Sequence, residues 1–202
     1  MLVNTRCRAK RHSSLQRSTM MFAAALIGFA LAFSAVPARA QNTSAAPPLS
    51  ATAIAGMPEL KVLGGGQLRV LGFQVYNVYL WTPAGASFDR SKPYALDLQY
   101  LRTFSAKQLA QRSIDEMRGQ GVGSDTVYQK WLAEMERVFA DVKDGDRLTG
   151  VVTATKASKF FYNGVYRGEV MDPAFADAFF GIWLNEKSSQ LRVRNLLLGK
   201  PE

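Results

Sequence analysis

The apolar residues of this chain change their spacing along the sequence, and that change constrains the fold more than any other feature. Stretches rich in Val, Tyr, Phe and Leu, which are typical of β-strands, lie at 60–63, 67–81 and 94–101. Apolar residues then recur at helical spacing over 106–117 and 127–139. The first half of the chain therefore predicts a group of strands followed by a pair of helices.

The second half repeats this grouping. Strand-like stretches return at 147–155, 159–162 and 165–167. The pair Asn163-Gly164 joins the last two of them and is the strongest short hairpin signal in the sequence. Helices are predicted from Asp172, an N-cap followed by proline, and over 189–198. Because strands and helices form separate groups, the sequence predicts an α+β fold with an antiparallel sheet and helices packed on one face.

Glycines interrupt the first strand-like region at two places. Gly64-Gly65-Gly66 lacks the spacing of a nucleotide-binding loop and is not followed by a helix, so we expect a tight turn or a bulge there. Gly72 is expected to bend or bulge the long stretch at 67–81. These expectations divide the region into two or three strands.

Residues 1–40 have the layout of a secretory signal peptide. They contain six Lys and Arg residues and no acid, an apolar run over 20–36, and then the small-residue pattern Ala38-Arg39-Ala40. The apolar run is shorter than the roughly 20 residues of a membrane-spanning helix. An organelle transit peptide is the alternative, but the uninterrupted apolar run favours export with cleavage after Ala40. We expect a periplasmic or secreted protein with no stable membrane span in the mature chain.

Most of the positive charge lies in this leader. The whole chain has a formal charge of +9, but residues 41–202 hold 19 of the 25 Lys and Arg residues and all 16 acids, which leaves +3. A nucleic-acid partner is therefore not indicated. Cys7 and His12 are the only cysteine and histidine, so the mature chain has no thiolate nucleophile, no Ser-His-Asp relay and no ordinary zinc site. We expect neither a metal nor a cofactor.

The mature chain is predicted to have two parts. Residues 41–57 are small, uncharged and interrupted by Pro47 and Pro48, and are interpreted as a flexible tether. Residues 58–202 are predicted to form one domain with a single core, since about 160 residues can bury roughly 68 to 70 per cent of their unfolded surface without disulfides.

Arg69 is the candidate binding residue that the composition itself singles out, because nearly all its neighbours in the strand are apolar. A guanidinium in a strand covered by helices needs an anionic partner, and its planar fork suits the carboxylate of an organic acid. Two other readings remain open: an ion pair with one of the protein's own acids, or an edge-strand arginine that reaches water. The many large aromatic rings could line an apolar pocket or fill the core.

Seven motifs in order resemble the bacterial chalcone isomerase-like family, over essentially all of residues 58–199. They are Gly64-Gly-Gly-Gln-Leu-Arg69, Phe73-Gln-Val-Tyr-Asn-Val-Tyr-Leu80, Phe104-Ser-Ala-Lys-Gln-Leu109, Gly145-Asp146, Phe161-Tyr-Asn-Gly164, Phe179-Phe-Gly-Ile-Trp-Leu184 and Leu196-Leu-Leu-Gly199. The resemblance implies an open-faced sandwich: a large antiparallel sheet, helices packed on one side, and a ligand cleft between the two layers. The wider family includes plant enzymes that close chalcones and non-enzymatic relatives that bind fatty acids.

The resemblance also assigns site residues. In both groups of relatives an arginine after a Gly-rich turn faces the ligand, and Arg69 matches it. The pocket tyrosine, asparagine and threonine of the plant enzymes match Leu109, Glu116 and Gln74, so most polar groups that position the cyclising substrate are absent.

Three functional hypotheses follow. The first is a periplasmic protein that binds a small amphipathic or fatty acid, with Arg69 on the carboxylate. The second is an isomerase or lyase acting on another substrate, and the third is a structural envelope protein with a filled core. The predicted ligand-binding residues are Arg69, Gln74, Tyr76, Tyr79, Leu109 and Tyr162.

Overall fold

The computed structural model describes residues 46–50 and 53–200, so the predicted signal peptide at 1–40 lies outside the described residues. The described elements follow the grouping that the sequence predicts. In chain order they are β1 (Leu60–Val70), β2 (Phe73–Pro83), β3 (Tyr94–Tyr100), α1 (Ala106–Gln120), α2 (Asp125–Val138), β4 (Arg147–Val152), β5 (Ser158–Tyr162), β6 (Val165–Val170), α3 (Pro173–Leu184) and α4 (Leu191–Leu197).

The described strands form one six-stranded sheet in the order β1-β2-β3-β4-β5-β6, and every neighbouring pair is antiparallel. Strands adjacent in sequence are adjacent in space, with α1 and α2 inserted between β3 and β4. The four helices pack on one face of this sheet, so the predicted α+β open-faced sandwich is confirmed. No helix within 46–50 and 53–200 is long and apolar enough to cross a bilayer.

The helix starts coincide with the capping signals in the sequence. Ser105 and Gln108 form a capping box at the start of α1: the Ser105 hydroxyl accepts the Gln108 backbone N–H, and the Gln108 side chain accepts the Ser105 N–H. Ser124 caps α2, and the Asp172 carboxylate accepts the N–H groups of the first turn of α3, which begins at Pro173. These local bonds fix where the helices begin, and hence how they lie on the sheet.

The main core lies between the sheet and the helices. Alternate residues of β3, Leu96, Leu98 and Tyr100, face the helices, together with the apolar stripes of α1 to α3. Phe175, Phe179 and Phe180 of α3 are buried against Phe160 of β5, with edge-on and stacked ring contacts. Aromatic rings therefore make up much of the packed layer between the sheet and α3.

The triple glycine is not a turn. β1 runs through Gly64, Gly65 and Gly66 with a register shift at its beginning, and the chain reverses at Leu71-Gly72 instead. Glycine is required at position 64 for another reason: a Cβ there would lie 2.1 Å from the backbone oxygen of Leu196 in α4. The expected bulge at Gly72 is thus a two-residue hairpin turn, and Gly64 allows close approach of helix and strand.

The prediction of a flexible tether at 41–57 does not describe residues 46–50 and 53–57, which pack on the sheet face opposite the helices. Ala53 is buried there, in a second cluster that includes Trp81 and Phe161. The guanidinium of Arg147 donates to the backbone oxygens of Pro47 and Pro48. Small and proline-rich sequence favours mobility locally, but apolar burial and these hydrogen bonds outweigh that tendency.

Arg147 is itself fixed by a buried acid. The Asp97 carboxylate is fully buried on this second face and accepts hydrogen bonds from Arg147, at 2.6 and 3.1 Å, and from the Thr149 hydroxyl at 2.7 Å. A buried carboxylate needs such partners because an unpaired charge in the interior is strongly destabilising. On the second face of the sheet, the buried charge of Asp97 is therefore compensated within the protein.

Candidate functional site

A cavity of about 510 Å³ lies between the sheet and the helices, in the place where the family resemblance implies a ligand cleft. Its wall is mostly apolar and comes from β1 to β5, α1 and α3; representative residues are Leu68, Leu98, Phe104, Leu148, Phe160 and Phe179. The volume lies within the roughly 300–1,000 Å³ of small-molecule sites. Part of the space between the layers is thus not filled, in contrast to what the structural-protein hypothesis requires.

The polar part of the wall belongs mainly to α1. Gln108, Arg112, Ser113 and Glu116 all line the cavity, because residues three and four apart share one side of a helix. Arg112 forms an ion pair with Glu116, and the Arg112 side chain is 70% exposed whereas that of Glu116 is 16% exposed. The second carboxylate oxygen of Glu116 accepts a hydrogen bond from Ser189 Oγ at 2.7 Å. A cation and an anion therefore stand side by side at one part of an otherwise apolar wall.

Tyr76, Tyr100 and Trp183 form a second group of polar atoms in the cavity wall. Trp183 Nε1 donates to the Tyr76 hydroxyl at 2.9 Å, and the two tyrosine rings meet edge to face. Burial raises the pKa of both tyrosines well above the ordinary value, so both phenols remain protonated at neutral and moderately alkaline pH. We find no hydrogen bond from Tyr100 Oη to another described residue, so this hydroxyl can serve a bound molecule.

Two of the six predicted binding residues line the cavity. Tyr76 reaches it from β2 and Leu109 from α1. Leu109 stands where the resemblance places the plant enzymes' tyrosine, so α1 offers an apolar side chain at that one position. Tyr76 and Leu109 therefore remain candidates for ligand contact.

Arg69 and Gln74 lie outside the cavity. Leu68 and Val70, the neighbours of Arg69 in β1, line it, whereas Arg69 is exposed on the edge strand and its Nε donates to Gln67 Oε1 at 2.7 Å. Gln74 pairs with Arg69 across the hairpin and is exposed as well. The expectation that Arg69 stands at the end of the cavity is therefore wrong, since successive side chains of a strand point to opposite faces.

Tyr79 and Tyr162 also lie away from the cavity wall. Tyr79 packs against the cluster on the second face of the sheet, where burial raises the pKa of its phenol. The Tyr162 hydroxyl donates to Asp146 Oδ2 at 2.8 Å, and this hydrogen bond is the main reason that its pKa is raised. The structure thus does not bring the six predicted residues together.

The sequence reasoning missed Arg112, Tyr100 and Trp183 as members of the site. One signal for Arg112 was present in the sequence: it lies three residues after Leu109, the position that the resemblance had already assigned to the pocket. Within 46–50 and 53–200 there is no group of acids or histidines that could hold a metal ion.

The fold and the cavity define a class of protein: an open-faced α+β sandwich with an apolar chamber under its helices. Comparison with known families makes this specific. The model of the chalcone isomerase-like family matches residues 43–199, and the chain belongs to that family.

Two individual relatives are similar to the chain. An uncharacterized protein of Haemophilus influenzae (strain ATCC 51907 / DSM 11121 / KW20 / Rd) is 29% identical over 128 residues, which are 63% of this chain and 62% of that protein, so the chain spans less than two thirds of its length. The crystal structure of the Arabidopsis thaliana fatty-acid binding protein AtFAP1 superposes with a TM-score of 0.56, covering 69% of this chain and 87% of that one. At 12% sequence identity this second likeness establishes the fold alone.

Proposed function

We propose that this protein binds a small amphipathic molecule, such as a fatty acid, in the cavity between the sheet and the helices. The observation that supports it most is the unfilled, mostly apolar space of about 510 Å³ with polar side chains at one part of its wall. Apolar surface in such a chamber favours a hydrocarbon body, and a few polar groups orient the head. The similar fold of AtFAP1, described as a fatty-acid binding protein, agrees with this choice of ligand class.

Arg112 is the side chain best placed for an acidic head group, in the role first expected of Arg69. Arg112 lines the cavity, and its guanidinium offers several N–H donors, of which one nitrogen contacts Glu116. A ligand carboxylate would compete with Glu116 for this fork, so the ion pair weakens acid binding. Ser113 and Gln108, on the same side of α1, can donate to the head group as well.

Arg112 and Glu116, the two members of the ion pair, should affect fatty-acid affinity in opposite directions, and this difference provides the test. With Arg112→Gln we expect about tenfold weaker binding of a fatty acid, and with Glu116→Gln we expect tighter binding, since the competing carboxylate is gone. A fatty alcohol of equal length should respond little to either change. Affinities are measured by displacement of a fluorescent fatty acid. Arg118→Gln is the matched control, because Arg118 lies on the same helix and pairs with Asp125 and Tyr128 outside the cavity.

The native ligand is sought by solvent extraction of purified protein followed by mass spectrometry. A co-purifying amphipathic molecule that is lost when Leu109→Trp fills the cavity would support the proposal. Absence of any extracted molecule, together with no saturable displacement by fatty acids of any length, would refute it and return the structural-protein hypothesis to first place.

An isomerase or lyase remains the second candidate, because two buried phenols line the cavity. Tyr76 and Tyr100 have raised pKa values, so they can donate a proton or a hydrogen bond to a developing enolate but are poor general bases. Chalcone cyclisation followed by absorbance tests this candidate. Turnover that falls at least about a hundredfold in Tyr100→Phe, with ligand affinity unchanged, would place catalysis above binding.

Export is the remaining part of the proposal, and it rests on the leader sequence at 1–40. We propose a periplasmic or secreted protein cleaved after Ala40. Expression of the full chain in a Gram-negative host, fractionation, and mass spectrometry of the intact protein test it. A soluble periplasmic product that begins at Gln41 is expected, and retention of residues 1–40 in the cytoplasm would contradict it.

A further inference from the structure

The hairpin between β1 and β2 ends in an exposed apolar tip. Val70 and Phe73 form its last strand pair, and Leu71 and Gly72 form the two-residue turn. Leu71 is 93% exposed, Phe73 60% and Val70 49%. Three adjoining apolar side chains in water are unfavourable, and contiguous exposed apolar groups commonly mark an interaction site. We define the four residues 70–73 as the β1–β2 tip.

Leu71 also has a backbone conformation that leucine rarely adopts. Leu71 has φ 50° and Gly72 φ 83°, both in the left-handed region, as in a type I′ hairpin turn. The first turn position favours Asn, Asp or Gly, because an ordinary side chain is strained there. Leucine at this position therefore lowers stability by backbone strain, and its exposed side chain gains no burial that would offset this cost. An interaction of the Leu71 side chain explains leucine at this position better than folding does.

The surroundings of the tip are cationic. Over residues 67–76 and 100–112 the chain has four cations, Arg69, Arg102, Lys107 and Arg112, and no Asp or Glu. The Arg102 guanidinium lies 4.7 Å from the centroid of the Phe73 ring, and its Nε donates to the Gln74 backbone oxygen. Two acids reach this region from elsewhere: Glu116 pairs with Arg112, and Asp141 caps α1 at Ala106. Arg69 and Arg102 thus flank the tip with no acid within these stretches.

We propose that the β1–β2 tip docks on the surface of an anionic lipid bilayer. A narrow apolar projection flanked by arginines suits this surface, because the apolar groups enter the interface and the cations meet anionic head groups. A protein partner fits less well. The three apolar side chains of the β1–β2 tip cannot cover the roughly 1,200 Å² that a stable protein interface buries.

The tip adjoins the cavity. Val70 belongs to the tip and also lines the cavity. Val75 of β2 and Arg112 of α1 line the same cavity. Docking at this place would bring the rim of the cavity to the membrane surface, where an amphipathic ligand is stored. This last step rests on the proposed function, whereas docking itself does not.

Sedimentation with vesicles tests the docking. Protein made from the full coding sequence, with its N-terminus determined by mass spectrometry, is mixed with vesicles of phosphatidylcholine that contain phosphatidylglycerol, or with phosphatidylcholine alone. We expect binding to the anionic vesicles that weakens as salt rises. Leu71→Asn should weaken it about tenfold, since it removes one exposed leucine side chain from the interface. Arg69→Gln should weaken binding to anionic vesicles only.

The control variant is Val165→Thr, which changes an equally apolar residue, 66% exposed, next to the turn of the other two-residue hairpin. Vesicle binding of this variant should equal that of the wild type. Equal binding by wild type and Leu71→Asn would overturn the proposal. So would a dimer in light scattering that Leu71→Asn dissociates, because the tip would then be covered by a second copy.

The two proposals fail in distinguishable ways. Leu71 does not line the cavity, so Leu71→Asn should bind the fluorescent fatty acid in solution as tightly as the wild type does. Vesicle binding without any fatty-acid binding would remove the proposed function and leave docking in place. Fatty-acid binding with no preference for anionic vesicles would remove the docking proposal and leave the proposed function in place.

Discussion

Two hairpins of this protein share one turn geometry and use it with different residues. The β1–β2 hairpin turns at Leu71-Gly72, with φ 50° and 83°, and the β5–β6 hairpin turns at Asn163-Gly164, with φ 48° and 82°. Asn-Gly is the pair that this turn prefers, whereas Leu-Gly places a large apolar side chain in a strained backbone. The Asn163-Gly164 turn has the residues that its backbone geometry favours. The Leu71-Gly72 turn has a leucine that this geometry disfavours and that is exposed to solvent.

The surroundings of the two turns differ in the same way. Asn163 Oδ1 accepts the Arg147 N–H at 2.8 Å, and its Nδ2 donates to Asp146 Oδ1 at 3.0 Å. Asp146 also accepts from the Tyr162 hydroxyl, so the β5–β6 turn belongs to a hydrogen-bonded network. The β1–β2 turn instead carries a 93% exposed leucine. The comparison indicates that the Asn163-Gly164 turn serves stability, whereas the Leu71-Gly72 turn serves contact with something outside the protein.

The largest effect is expected when the polar turn is made apolar. Asn163→Leu should lower the free energy of unfolding by about 3 kcal/mol, from two lost hydrogen bonds and a strained leucine. Urea denaturation measures it. Asn163→Gly separates the two causes, because glycine accepts the backbone conformation and loses only the hydrogen bonds. A loss of less than about 0.5 kcal/mol in Asn163→Leu would mean that the two turns are equivalent.

Substitution of Asp146 should give the next largest effect on the free energy of unfolding, and this effect should depend on pH. The hydrogen bond from Asn163 is the main reason that the pKa of Asp146 is lowered. A carboxyl whose folded pKa lies below its unfolded value stabilises the fold above the unfolded pKa, near 4, and loses this contribution as the pH falls through the folded pKa. Asp146→Asn should therefore cost about 2 kcal/mol at neutral pH and progressively less below about pH 4.

A pH series of denaturation midpoints for wild type and Asp146→Asn provides the measurement. The two curves should converge at acid pH, since the wild-type carboxyl is then protonated and neutral like the amide. A constant difference at every pH would contradict the assignment, because it would show that the charge of Asp146 has no part in holding the turn.

A smaller effect of opposite sign is expected at the apolar turn. Leu71→Asn should raise the free energy of unfolding by about 1 kcal/mol, because asparagine tolerates the left-handed backbone better than leucine. The same substitution is expected to weaken vesicle binding, so stability and docking should change in opposite directions. Destabilisation by Leu71→Asn would show that the leucine has a folding role and would remove the contrast between the two hairpins.

The smallest effect belongs to the residue beside the polar turn. Val165→Thr should change the free energy of unfolding by no more than about 0.5 kcal/mol, because both residues are β-branched and the position is mostly exposed. Thermal unfolding followed by circular dichroism is sufficient. A larger loss would mean that exposed apolar residues at both hairpins support the fold, and the interpretation of Leu71 would then need revision.

Much of the fold could be predicted because its signals are local. The capping box at Ser105, the N-cap at Asp172 and the turn at Asn163-Gly164 depend on residues within a few positions of one another. The triple glycine was predicted only in part: the register shift between Val62 and Gly64 agrees with the expected bulge, but the reason for glycine at position 64 is not local. Gly64 is needed because α4, more than 120 residues later, presses its backbone against β1, and no local pattern reports such an approach.

The candidate site was predicted only in part. A cleft between sheet and helices follows from the family resemblance, and Tyr76 and Leu109 do line it. The orientation of Arg69 could not be read from its apolar neighbours, because a strand with apolar residues on both faces gives no alternation to show which face an arginine occupies. Arg112 lies on a helix, and only the position of α1 over the sheet brings it to the cavity.

The sequence by itself determined the grouping of strands and helices, the caps, the Asn-Gly turn and the family, since each depends on the order of residues along the chain. Tertiary structure decided which side of the sheet each side chain faces, which glycines allow close contact, and which guanidinium borders the cavity. The physical reason is that these properties arise from strand register and layer packing, which join residues far apart in sequence.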